Sequence, residues 1–169
     1  LQSSPNTKFK LDVSGQSSVT IQAKSNTNTN LVLITEGTIV GASDVTIETT
    51  TILQDMVVTG ASIFNVVNGN LNSMKVTGTS KVHVINGTIS KSRVTGASTV
   101  NIVETTVNSL QITGASKVTV INSTVSESKV SGASKLNIVN GTVNSMTVTS
   151  ASTIYMIESR NSSSSSNVV

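Results

Sequence analysis

The residues of this chain that could do chemistry are few and scattered. It has 169 residues, one histidine and no cysteine. A nucleophilic triad needs a histidine with a nucleophile on one side and an orienting acid on the other. No such set can be assembled around His83. Its place in the chain's internal repeat is filled elsewhere by Asn65, Asn101, Thr119, Asn137 and Tyr155, an outward and solvated series. Carboxylate pairs fare no better. Glu104 and Glu158 share a repeat position but stand three repeats apart, about 14 Å at the usual strand spacing. Paired glycosidase carboxylates sit ~5–9.5 Å apart. Lys91 and Glu127 also share a position, two repeats apart. The calcium-binding GGxGxD repeat of some β-helices is absent. The expectation is a protein without catalytic activity, cofactor or metal.

Without cysteine, neither disulfides nor a thiolate metal site can hold the fold. Aromatics are 2% of the chain and tryptophan is absent. Val, Ile, Leu and Met must therefore supply the core in thin layers. The net charge is +3 with 11% charged residues, too sparse for a nucleic-acid footprint of clustered Lys and Arg. No apolar run approaches the ~20 residues of a membrane span. The first residue is Leu1, which points to a processed or trimmed chain. Four Asn-x-Ser/Thr sequons, at Asn86, Asn122, Asn140 and Asn161, are candidate glycosylation sites. Together these features point to a secreted or cell-surface protein.

What positions these residues is a repeat. Val58, Val76, Val94, Ile112, Val130 and Val148 each open a copy of one phrase, eighteen residues apart without a slip. An earlier copy begins near Ile39, and a looser relative near Val13. Number the repeat 1 to 18. Positions 7 and 9 are apolar throughout, as in Val82/Val84, Val100/Ile102 and Val118/Val120. That period of two is the strand signature. Positions 1 and 14 are apolar as well, which suggests about three short strands per repeat. Nothing has helical spacing. A unit this short cannot bury its apolar face alone, but stacked copies can. The expected fold is all-β: a single-domain parallel β-solenoid, or β-helix, of 18-residue coils over residues 39–160. Right-handed crossover is the default for parallel strands. Residues 1–38 are expected to form an irregular cap with strands, with a loop at 25–30 and a strand at 31–34. Residues 161–169 are expected to form a serine-rich disordered tail.

Recurring glycines (Gly60, Gly78, Gly96, Gly114 and Gly132) mark position 3, where the coil must bend. A second turn is expected at positions 11–12. The asparagines of position 11 (Asn68, Asn86, Asn122 and Asn140) read either as an internal ladder or as exposed turn residues, and the second reading is favoured. Position 17 alternates large and small through Met74, Ser92, Leu110, Ser128 and Met146. This is read as interdigitated packing if the ladder points inward.

Three outward series are candidate sites. Val67, Ile85, Val103, Ile121, Val139 and Ile157, at position 10, follow an inward residue. They form an exposed association stripe unless the chain bends to tuck them in. Thr59, Thr77, Thr95, Thr113, Ser131 and Thr149, at position 2, run beside Ala61, Ala97, Ala115 and Ala133 at position 4. This pair of ladders is a candidate ice- or surface-binding face. A second Thr ladder occupies position 13 at Thr88, Thr106, Thr124 and Thr142. Lys75, Arg93 and Lys129, with Lys81, Lys117 and Lys135, read as a solvated face or a weak docking surface for anionic glycans.

Val130-Ser-Gly-Ala-Ser-Lys-Leu-Asn-Ile138 and Val13-Ser-Gly-Gln-Ser-Ser-Val-Thr-Ile21 carry the phrase S-G-x-x-x-V-x-V, with Leu and Ile in place of Val. It resembles the bacterial head-GIN family, the heads of auto-transporter adhesins, and implies a β-solenoid with an adhesive role. The strict eighteen-residue spacing and the sequons depart from that family. The Thr/Ala ladders also resemble the repetitive antifreeze β-solenoids of insects and grasses. Those proteins show a doubled Thr-x-Thr row where this chain has single rows. The leading expectation is a structural or adhesion solenoid that self-associates or binds an extracellular or cell-surface partner, such as an anionic glycan. Ice binding is the alternative. Neither nucleic acid nor a membrane is expected as a partner.

Overall fold

The structure, a computed structural model, describes residues 7–22 and 32–161. All of its regular structure is β, and the strands join one parallel sheet that winds through about seven coils of roughly eighteen residues. The chain is a β-solenoid. Each coil presents a short and a long strand. The short ladder runs through Lys81–Ile85, Thr99–Val103, Lys117–Ile121, Lys135–Val139 and Thr153–Ile157. The long ladder runs through Thr88–Val94, Thr106–Ile112, Thr124–Val130 and Thr142–Val148. Register is kept coil to coil, so Val82 lies on Val100, Val100 on Val118 and Val118 on Leu136.

The period-two pattern places its apolar residues as expected. In one coil Val94, Val100, Ile102, Val107 and Leu110 are all at most 1% exposed. These are positions 1, 7, 9, 14 and 17. The long strand is not a flat ribbon. Positions 15 and 16 both face outward, as at Asn108 and Ser109. Position 15 is also skipped in the pairing, where Val107↔Val125 is followed by Ser109↔Glu127. The chain therefore turns a corner there, which divides the long strand into two outward faces. This accounts for the three strand segments anticipated per coil where the backbone forms two ladders.

The solenoid reaches further toward the amino terminus than residue 39. Thr7–Val13 pairs with Val32–Ile39, which pairs with Asp44–Val58, and Ser18–Gln22 pairs with the same strand. These strands belong to the main sheet rather than to a separate cap. The loop expected at 25–30, Leu31 and residues 162–169 of the expected tail lie outside the described residues.

Two kinds of buried serine distinguish this core. Those of position 5 (Ser62, Ser80, Ser98, Ser116 and Ser134) are at most 1% exposed. Their hydroxyls donate to backbone carbonyls. Ser98 Oγ lies 3.1 Å from the Thr95 oxygen and 3.2 Å from that of Gly78 in the coil below. The Gly78 oxygen also accepts the Ala97 amide at 2.8 Å. Position 17 holds the other kind. Ser92 and Ser128 are buried between Met74, Leu110 and Met146, and their hydroxyls have no partner. The large–small alternation thus points inward and interdigitates. Each small residue makes room for the long one above and below it.

The same substitution should therefore act with opposite sign at the two positions. Ser98→Ala removes hydrogen bonds to carbonyls and is expected to cost about 1 kcal/mol. Ser128→Ala removes an unsatisfied buried hydroxyl and is expected to leave stability unchanged or raise it by up to ~1 kcal/mol. Denaturant midpoints of the two variants check this; an equal loss in both contradicts it. Gly96→Ala should be worse than either. Its φ is +80°, and a Cβ would sit 2.7 Å from the Gly78 carbonyl oxygen.

Candidate functional site

Stacking in register turns every outward position into a column, so the candidate sites are columns of outward side chains. The first is position 10. Strand alternation puts it on the outer surface, beside the outward residues of positions 6 and 8. The turn that follows puts position 11 outside as well. Asn68, Asn86, Glu104, Asn122, Asn140 and Glu158 all have positive φ, between 49° and 60°. That left-handed step swings the chain around the corner without drawing position 10 inward. Val67, Ile85, Val103, Ile121, Val139 and Ile157 lie in direct register, one per coil. Ile85 is 39% exposed and Ile157 58%, and the other four are half-buried. The column ends at Glu48, which pairs with Val67.

The asparagines of position 11 are exposed turn residues, yet they also stack: Asn86 Nδ2 donates to Asn68 Oδ1 at 2.7 Å. Asparagine tolerates the left-handed region better than most side chains. That accounts for its use here. Asn86, Asn122 and Asn140 each have an exposed side chain at this turn. The side chain of Asn161 lies outside the described residues.

The Thr/Ala ladders sit on the other bend. Thr59, Thr77, Thr95, Thr113 and Ser131 are half-buried, and Thr149 is exposed, as are Ala61, Ala97, Ala115 and Ala133. Between each pair stands the residue of position 3, whose φ runs from +76° to +82° at Gly78 to Gly132. Residues two apart share a face only in extended chain. Across this glycine, the Thr and Ala columns wrap around a corner instead of forming one flat surface. The Thr ladder of position 13 is different. Thr88, Thr106, Thr124 and Thr142 lie on a strand in direct register. Two residues on runs a second uncharged column, Asn72, Ser90, Asn108, Ser126 and Asn144.

The remaining outward surface, positions 16 and 18 of the long strand, carries charge. Ser73, Lys91, Ser109 and Glu127 stack in one column, and Lys75, Arg93, Gln111 and Lys129 in the other. Arg93 Nε donates to Gln111 Oε1 at 3.0 Å. A depression of about 380 Å³ opens here. The lysines of position 6 lie on the short-strand face, where Lys135 Nζ stands 4.5 Å from the ring centroid of Tyr155.

His83 is half-buried, with Nδ1 3.2 Å from Asn101 Nδ2. Among the described residues no three His, Asp or Glu side chains converge as metal ligands. No helix of the described residues is long and apolar enough to cross a membrane. Sequence reasoning missed the buried hydroxyls of position 12. Ser123 Oγ donates to the Ile121 oxygen at 2.7 Å and accepts the Thr105 amide at 3.0 Å. Their signal was present, since position 12 holds only Gly, Ser or Thr from Gly69 onward.

No protein-family model matches this chain, and no curated protein or solved structure matches it.

The turn of position 11 yields a direct test. Glu104 has φ +51° without the local hydrogen bonding that eases asparagine into this region. Glu104→Asn is expected to raise stability by about 0.5–1 kcal/mol, and Glu104→Gly by a similar amount. Thermal melts of both variants check it. A fall in melting temperature for both would mean that the left-handed turn is not what limits this coil.

Proposed function

We propose that this protein is a structural and adhesive rod of the extracellular surface, which associates through the aliphatic column of position 10. The observation that carries this reading is the column itself. Six β-branched side chains stand outward in strict register, one per coil, ended by an acid at Glu48. A continuous column of partly exposed apolar side chains supports an interaction face here. A partner with the same comb of side chains can interdigitate with it over its whole length. A second copy of the chain has that comb by construction. Burying apolar area is worth about 25 cal/mol per Å², so a long shallow stripe gives an affinity that grows with the number of coils engaged. The resemblance of the Ser-Gly phrases to adhesin heads points in the same direction.

A second reading, ice binding, is favoured by one observation. The Thr column of position 13 and the Asn/Ser column of position 15 lie on one strand face that is uncharged from Thr88 to Asn144 and ends at Arg160, the partner of Thr142. Regularly spaced hydroxyls and amides on a rigid backbone could order water at a fixed repeat. On this reading the ladder at the Thr-Gly-Ala corner is secondary, because it wraps around a bend.

The two readings separate experimentally. If the rod associates through position 10, the wild-type sedimentation coefficient rises with concentration, and Ile121→Lys weakens the association at least tenfold. A wild-type protein that stays monomeric at all concentrations removes this reading. If the strand-borne Thr ladder binds ice, crystals grown in its presence are faceted. Thr106→Tyr then abolishes the faceting while Thr95→Tyr at the corner leaves it. Round crystals with the wild-type protein remove the second reading.

A further inference from the structure

The basic cluster on the long-strand face requires a separate account. Lys75 and Arg93 are direct cross-strand partners, and Lys91 lies two residues from Arg93 on the same surface. Like charges directly opposite one another on a sheet destabilise it. Neither lysine nor Arg93 has a salt bridge among the described residues. Ser73 and Ser109 flank Lys91 in its column and Gln111 follows Arg93, while the exposed acids Asp55 and Glu127 pair with Ser73 and Ser109 on the sides away from Lys91. The flanking serines leave Lys91 beside a depression of about 380 Å³, whose lining includes Ser73, Lys75, Arg93, Ser109 and Gln111 as well as Met74 and Ser92. Gln111 accepts from Arg93 Nε at 3.0 Å. That bond holds the guanidinium in place and leaves its two terminal nitrogens for another acceptor.

We propose that this depression binds the oxyanion groups of an acidic polysaccharide, with Arg93 as the forked contact and Lys75 and Lys91 as flanking charges. Arginine presents a planar fork that matches a carboxylate or sulfate through two parallel hydrogen bonds, and the lysines add point charges. A bound anion relieves the repulsion that the three cations otherwise carry. The neighbours favour a sugar over a nucleic acid. Binding single-stranded nucleic acid relies on aromatic platforms for the bases, and this face has none. Of the described aromatics, Phe64 is in the core, Phe9 packs against it, and Tyr155 lies on the short-strand face. The hydroxyls of Ser73 and Ser109 and the Gln111 amide suit the hydroxyl groups of a saccharide. This site lies on a different face from the aliphatic column and does not depend on it.

The test is calorimetric titration of the full chain with dextran sulfate at physiological salt, with uncharged dextran as the blank. The double variant Lys91→Gln/Arg93→Gln should weaken binding at least tenfold. Lys81→Gln/Lys117→Gln removes the same charge from the short-strand face and should weaken it less than threefold. Gln111→Ala keeps every charge and should weaken binding three- to tenfold, because the guanidinium is no longer held. Unchanged melting temperatures establish that each variant is folded, and Lys75→Gln replaces any that is not, with an expected loss of at least threefold. Equal losses in the two double variants would reduce the effect to net charge and overturn the site. So would a wild-type chain that does not bind dextran sulfate. Tighter binding to an oligothymidylate than to dextran sulfate at equal charge concentration would overturn the assignment to a polysaccharide.

Discussion

The rod depends on one junction, repeated in nearly every coil. At each corner the carbonyl of the glycine at position 3 accepts the alanine or threonine amide of the next coil, as Gly78 does from Ala97 and Gly96 from Ala115. The buried serine hydroxyl of that next coil comes to the same oxygen, at 3.2 to 3.3 Å for Ser98 and Ser116. Three demands on residue type meet there. The backbone must enter the left-handed region, the stacked coils must approach closely, and a short side chain must turn inward and donate. Gly, then a small outward residue, then Ser satisfies all three. Each bond contributes only about 1 kcal/mol, but the junction recurs along the rod and adds to the register that the two strand ladders hold.

Once the register is held, the core follows. Aliphatic side chains of each inward position lie directly on their counterparts, so a thin core of Val, Ile, Leu and Met is fully buried without a large aromatic layer. Phe64 is the exception, and its column continues as Val82 and Val100. Position 17 shows how tight the fit is. Gly37 lies beneath Met56, whose side chain occupies the space a Cβ would need. Ser92 and Ser128 play the corresponding role between larger neighbours, at the expense of two unsatisfied hydroxyls. Space-filling overrides hydrogen bonding at this position.

With the inside so constrained, variation is confined to the outward positions, and the corners divide them into surfaces of different character. The short-strand face combines lysines with a column of aliphatics. The first part of the long strand is uncharged Thr, Asn and Ser. The second part is charged, and three of its cations, Lys75, Lys91 and Arg93, cluster in two adjacent coils, with Lys129 two coils from Arg93. Repetition makes the first two surfaces periodic along the rod, which suits a partner that is itself periodic. The cluster at Lys75, Lys91 and Arg93 is local, which suits a single docking point. Strands stacked one coil apart hold the backbone of both kinds of surface in fixed geometry.

Much of this was legible in the chain itself. The eighteen-residue period, the absence of any helical pattern and the apolar pairs of positions 7 and 9 together determined a stacked parallel β-fold. So did the inward direction of positions 1 and 14. Gly60 to Gly132 marked a bend by residue type alone. What sequence could not decide was how the directions on one side of a bend relate to those on the other. Alternation assigns inside and outside only along an extended segment. In each coil the alternation changes phase twice, where positions 10 and 11 both face outward and where positions 15 and 16 do, and positions 2 to 4 all face outward around the glycine without a change of phase. The first slip set Asn86 and Asn122 outside, next to the aliphatic column of Ile85 and Ile121 that alternation alone directs outward. The second sent Met74 and Ser92 inward and separated Asn108 from Ser109. Only the closed coil decided where those slips fall, because a coil closes on itself only when its left-handed turns and its corner together complete one revolution.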